Sequence, residues 1–235
     1  MLIIGFSTGA LAFDDFERAL ALLSPTKATA VELSALRYKE LPKLLHALPS
    51  LWSELNSRYR YISFHAPTNF EDELGLVQQL AVVADMGLNI VVHPDTMKEL
   101  TSWRALGDHL CIENMDSRKP VGRTAEELAV FFETLPKAKL CFDIAHARQV
   151  DATMTEANRI LSVFGDRLAQ THFSELNSQG KHFPMSLIAK QTYELFAPVL
   201  SRVPLILESV VREDEISTEL AQAESVLEQR VRLPT

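Results

Sequence analysis

Cysteine is scarce in this chain, with only Cys111 and Cys141 present and neither in a CxxC pair, which argues against a thiolate metal cage or a disulfide framework. Each stands two residues before a carboxylate expected at a strand end, Glu113 and Asp143, and side chains at i and i+2 share one face of a strand. Both thiols should therefore be reduced core residues that point inward, one layer below those carboxylates. Long apolar runs are missing too. The stretch from Leu74 to His93 is interrupted by Gln, Asp and Asn before it reaches the ~18 residues of a membrane span. The opening MLIIGFSTGALAFDD has no basic segment and enters a strand pattern at once, so no signal peptide is expected and the cytoplasm is the default location. Positive charge is in deficit, with 23 Lys and Arg against 31 Asp and Glu and a net charge of −8. That balance disfavours a protein that grips nucleic acid by covering its phosphates, although a metal site can engage a phosphodiester through its own charge.

No low-complexity tract breaks the chain, and its 235 residues leave no room for a second domain beside an α/β barrel of about 200–250 residues. Residues 1–235 read as one domain. Apolar residues at 47% and charged residues at 23% suit a globular core. Short β-rich apolar segments alternate with amphipathic stretches throughout, the pattern of βα units around a parallel sheet. Expected strands are Leu2–Ser7, Ala28–Ser34, Tyr61–Ala66, Asn89–Pro94, Leu110–Asn114, Lys139–Ile144, Leu168–Phe173 and Pro204–Ser209. Helical patterns follow at Phe13–Leu23, Lys39–Leu55, Glu71–Met86, near Met97–Leu106, and at Thr124–Thr134, Thr153–Phe164, Ser186–Leu200 and Asp214–Val231. Thr124 with Glu127, and Thr153 with Glu156, have capping-box spacing. This alternation of strands and helices predicts a single α/β (β/α)8 TIM barrel.

The placement of polar residues is informative. Of seven histidines, His65, His93, His146 and His172 fall at or near the ends of strands three, four, six and seven, and His182 lies in the loop after strand seven. Glu32, Glu113, Asp143 and Glu208 end strands two, five, six and eight. Apolar strands that finish in such groups converge them on the C-terminal mouth of the barrel, where active sites of this fold sit. His46, mid-helix, and His109, before strand five, read as structural. So many His and carboxylate groups together would repel and pay desolvation unless a cation joined them. Mixed oxygen and nitrogen donors suit Mn, Co, Fe, Mg or Zn.

The strings FHAPT (64–68), VVHP (91–94), CIENMD (111–116), CFDIAHA (141–147), THFSELN (171–177), GKHFP (180–184) and ILES (206–209) resemble the xylose-isomerase-like barrel superfamily. That grouping holds sugar and sugar-phosphate isomerases and epimerases, and the zinc-dependent endonuclease IV class. Similarity to its ketose 3-epimerases implies a metal bound by Glu113, Asp143, His172 and Glu208, with His146 facing substrate. Glu175 and Asn177 match an H-x-x-E-x-N string there, but the Arg that follows in those enzymes is Ser178 here. Similarity to the endonuclease class implies one zinc on His65, His93 and Glu113, a second on Glu113, Asp143, His172 and Glu208, and a third on His146 and His182. The third site requires an acid two residues before His182, where this chain has Gly180. The loops are also short for DNA-gripping elements.

The expectation is a divalent-metal-dependent isomerase or epimerase for a sugar or sugar phosphate, with Mn, Co or Mg favoured, Zn as an alternative, and one tightly held metal per chain. Proton removal next to a carbonyl gives an enediolate that a Lewis acid stabilises. Glu113 and Glu208 are the expected acid/base pair, standing across the mouth from each other. His65, His93, His146 and His182 bind substrate or a second metal, and Glu32 and Lys181 are candidate substrate contacts. The alternatives are an endonuclease IV-like phosphodiesterase and a non-catalytic metal- or ligand-binding barrel. The partner is a small molecule rather than nucleic acid or membrane, and a homo-oligomer is possible.

Overall fold

The computed structural model describes residues 2–228. Eight parallel strands close into a barrel: β1 (Ile4–Ser7), β2 (Ala30–Ser34), β3 (Tyr61–His65), β4 (Asn89–Val92), β5 (Leu110–Glu113), β6 (Lys139–Asp143), β7 (Leu168–Phe173) and, last in the chain, β10 (Leu205–Leu207), which pairs with β1 and β7. Between β7 and β10 lies a two-stranded antiparallel hairpin, β8 (Glu175–Leu176) and β9 (His182–Phe183). Sequence periodicity misses it, because two residues per strand carry no alternation.

The strands are almost wholly buried, as expected where helices cover the outside and side chains fill the inside. Val91, Cys111 and Cys141 form a separate buried cluster with Ala169 against them, so both thiols do point into the barrel. Burial raises both thiol pKa values, Cys111 to about 12, which keeps them inert. No helix of the described residues is long and apolar enough to cross a membrane.

Three expectations about the outer layer are corrected. The connection from β4 to β5 is a 3-10 segment, Leu100–His109, interrupted at Gly107 with φ 58°, rather than an α-helix. Trp103 anchors it, fully buried, with its indole N–H donating to Glu73 at 2.6 Å. Thr153 is not the N-cap of the next helix, which runs Thr155–Phe164 with Met154 at that position; the Asp151 carboxylate accepts from the Glu156 amide at 3.0 Å. The stretch Ser186–Leu200 breaks into Leu187–Tyr193, a 3-10 turn and Ala197–Leu200, where Pro198 has no N–H to continue the ladder. Thr124 is the N-cap expected, with its hydroxyl accepting from the Glu127 amide at 3.2 Å. The last expected helix runs Ile216–Glu228, and residues 229–231 of that expectation lie outside the described residues.

Candidate metal centre

Parallel strands of similar length end at one level, and here those ends carry the charge. His65, Glu113 and Asp143 are the final residues of β3, β5 and β6, His172 is one short of the end of β7, and His93 and Glu208 follow β4 and β10 directly. His146 sits on the helix Ile144–Val150, and His182 is brought back over the mouth by the β8–β9 hairpin.

Glu113 is the hub. Its Oε1 lies 3.2 Å from His172 Nδ1 and 3.3 Å from His146 Nδ1. Its Oε2 lies 3.2 Å from His93 Nε2 and 3.4 Å from His65 Nε2. Two groups of donors result. Glu113, Asp143, His172 and Glu208 each offer a ligand atom within 4.8 Å of the others, and so do His65, His93 and Glu113. Glu208 Oε1 approaches His172 Nδ1 at 3.5 Å while its Oε2 faces His182 Nδ1 at 3.6 Å. Glu113 and Glu208 therefore converge on one imidazole nitrogen and diverge at their other oxygens.

The fit to a cation can be tested on unpaired atoms. Glu113 Oε2 and Asp143 Oδ2 are buried without a hydrogen-bond partner, although buried carboxylate oxygens are ordinarily satisfied. An ion among these donors supplies the missing partner, so the residues fit a divalent metal.

Asp143 is pinned at its strand end. Its Oδ1 caps the following helix by accepting from the His146 amide at 2.7 Å, leaving Oδ2 for a ligand. Asn114 fixes the same strand end twice, accepting from the Asp143 amide and donating to its carbonyl, both at 2.8 Å. The Asn114 carbonyl also lies 2.9 Å from His146 Nδ1. Sequence reasoning misses Asn114, whose only signal there is adjacency to Glu113.

The electrostatics follow from burial working against opposite charge. Burial alone would raise the Glu113 pKa, but the surrounding imidazoles, led by His172 and His93, hold it well below the carboxylate range. Glu208 goes the other way, to about 8, through burial and the nearby Glu113 and Asp143 charges. Burial opposes charging of His65, yet its approach to the Glu113 carboxylate and the Glu32 charge lift it to about 9. His182, desolvated in the hairpin, falls to about 4.

A metal needs its ligands deprotonated, so loading at pH 7 is expected to release at least one proton per ion, from Glu208 and the charged imidazoles. Calorimetric titration in buffers of different ionisation heat measures this, and zero release would contradict the stated electrostatics. The folding sign is separate. A carboxyl whose folded value is raised stabilises fully below the ordinary carboxylate range, so the stability it contributes is lost as pH rises through about 8.

The remaining expected residues fall in different places. Glu32 lies fully buried below the mouth, its Oε2 accepting from Ser63 at 2.9 Å and Gln170 at 2.7 Å, with His172 Nε2 at 3.2 Å. Its Oε1 is buried without a hydrogen-bond partner. Lys181 is exposed on the hairpin, where Asn177 Oδ1 accepts from its backbone amide at 2.9 Å. Glu175 is a structural anchor, paired with Arg148 at 2.7 Å and accepting from the Ser186 amide at 2.7 Å. Gly180 has φ +69°, and a Cβ there would lie 1.8 Å from the Arg118 guanidinium carbon. Arg118 is itself held side-on by Asp116, at 2.6 and 2.9 Å. His46 is exposed, and His109 sits before β5 away from the strand ends at the mouth.

No family model matches the chain, and no curated protein matches its sequence. Solved structures do match its fold. A D-tagatose 3-epimerase-like protein superposes with a TM-score of 0.69 at 17% identity, over 98% of this chain and 100% of that one. Endonuclease IV from Thermus thermophilus gives a TM-score of 0.64 at 19% identity, over 96% and 99%. A D-psicose 3-epimerase crystallised with D-fructose gives 0.66 at 16%, over 97% and 99%. The chain thus has the fold of the xylose-isomerase-like barrels that its motif strings resemble. At these identities the likeness speaks to fold alone.

Proposed function

We propose that this chain is a divalent-metal-dependent isomerase or epimerase acting on a sugar or sugar phosphate. The observation that carries the reading is the convergence of Glu113, Asp143, His172 and Glu208 within 4.8 Å at the barrel mouth, with two buried carboxylate oxygens left unpaired. When bound there, a divalent cation would act as a Lewis acid toward a substrate carbonyl and favour loss of the neighbouring proton.

The chain's own residues do the rest. Glu208 is 14% exposed at the rim, and its pKa of about 8 suits a group that exchanges a proton near neutrality. Glu113, more acidic and more enclosed, serves as the opposing carboxylate. His146 and His182, with ring centroids 5.6 Å apart, line the hairpin side and meet substrate hydroxyls. His65 and His93 do so from the other side. Lys181 is placed for a phosphate or an outer hydroxyl. Glu32, below the ligands, supports His172 instead of touching substrate.

The test is solvent exchange. Ketoses and their phosphates incubated with the protein and Mn, Co or Mg in D2O are expected to gain deuterium at the carbon beside the carbonyl. Absence of exchange across the panel, with metal bound, would remove this reading.

One observation favours a second reading. His65, His93 and Glu113 form another donor group that shares Glu113, the arrangement a two-metal phosphodiesterase would use. Against its endonuclease form stands Gly180, where the third zinc site on His146 and His182 lacks its acidic ligand and the Arg118 guanidinium already occupies the space a side chain would take. One metal per chain and no incision of abasic-site duplex at micromolar protein are expected. Two or more zinc ions with metal-dependent incision would put hydrolysis first.

A further inference from the structure

Beneath the metal ligands lies a buried polar chain that the proposed reaction does not use. Lys139 Nζ lies 3.4 Å from Asn89 Oδ1, and Asn89 Nδ2 donates to the Tyr61 hydroxyl at 3.0 Å. Tyr61 then donates to Gln170 Oε1 at 2.6 Å, and Gln170 Nε2 donates to Glu32 Oε2 at 2.7 Å. Direction is forced at both ends. A lysine ammonium has only donors and a carboxylate has only acceptors, so the Gln170 amide must turn its nitrogen toward Glu32. His172 Nε2 reaches the same Glu32 oxygen at 3.2 Å and lies 3.1 Å from Gln170 Nε2. Ser63 contributes a third donor to that oxygen at 2.9 Å.

From this geometry we infer that Glu32 is a positioning residue that keeps the proton of His172 on Nε2, so that Nδ1 is presented as the ligand atom toward Glu113 and Glu208. A neutral imidazole has one N–H and one lone pair, and the partner of the first decides where the second points. His172 Nδ1 lies 3.2 Å from Glu113 and 3.5 Å from Glu208, on the metal side of the ring, while its other nitrogen faces Glu32 and Gln170. Gln170 and Tyr61 have the further task of fixing Glu32. His172 and Gln170 stand at i and i+2 of β7, so both point into the barrel interior, one above the other.

This inference rests on the metal reading and is tested apart from activity. Chelator competition gives the Zn and Mn affinities of the unmodified protein, of Glu32→Gln and of Ser63→Ala. Expected is a loss of about 10–100-fold for Glu32→Gln, the range for removing an outer partner of a ligating histidine, and little change for Ser63→Ala, whose hydroxyl touches Glu32 but not His172. Unmodified affinity in a folded Glu32→Gln overturns the inference while leaving the metal reading intact; no metal bound by the unmodified protein overturns both. A nitrogen-15 imidazole spectrum of the zinc-loaded unmodified protein decides the point even if Glu32→Gln does not fold. A protonated Nε2 on His172 is expected, and a protonated Nδ1 overturns the inference.

Discussion

Protein carrying Glu113→Gln is expected to lose bound metal and all measurable turnover, and to unfold at a lower temperature than the unmodified chain. Glu113 is the one residue shared by both donor groups, so its loss dismantles each of them. The amide keeps the size of the side chain but gives up the negative charge that His65, His93, His146 and His172 all approach within 3.4 Å. Those imidazoles hold the Glu113 carboxyl charged, well below its ordinary range, so removing the charge leaves buried histidines without their counter-charge and is expected to cost stability. Activity should fall by at least ~10³-fold, the scale for removal of a group that both binds the catalytic ion and handles the proton. Glu208→Gln is expected to abolish turnover as well, but to weaken metal less, since it belongs to only one group. Elemental analysis, turnover and thermal unfolding of the purified variants check this. Near-normal turnover in either variant would refute its acid/base role.

Gly5→Ala is expected to have the largest effect on folding. Gly5 lies in β1 opposite Ala30 of β2, and a Cβ on it would stand 1.7 Å from the Ala30 carbonyl oxygen and 2.3 Å from its carbonyl carbon. Backbone atoms of a paired strand cannot rotate aside as a side chain can. The strands must separate, and with them goes the register Gly5 to Ala30, Phe6 to Val31 and Ser7 to Glu32 that closes the barrel at β1. A loss of at least ~4 kcal/mol is expected, a large share of the 5–15 kcal/mol by which domains are ordinarily stable. Urea unfolding measures it. A change under ~1 kcal/mol would show that β1 does not pack on β2 at this distance.

The fold is legible in the sequence because its signals are local. Apolar runs ending in His, Asp or Glu recur along the chain, and strand alternation alone places those endings on one rim. For the same reason Glu113, Asp143, His172 and Glu208 can be named from spacing and from the resemblance of short strings. What local pattern does not reach is the work done below and beside the rim. Tyr61 meets Gln170 across 109 positions, and Gln170 meets Glu32 across 138. Neutral polar residues in or just after strands carry no sequence signal of their own, so Gln170, Ser63 and Asn114 escape notice, as does the contact between Glu32 and His172. The Arg118 guanidinium over Gly180 also depends on segments far apart in the chain, whereas the hairpin that returns His182 to the mouth is local but has strands too short to show periodicity. The sequence by itself determined the barrel and the charged ring of donors at its mouth, since both follow from periodicity and residue type. Only the tertiary structure decided which atom of each donor faces inward, because that depends on the hydrogen-bond partner behind it, and closure of the barrel is what brings those partners together.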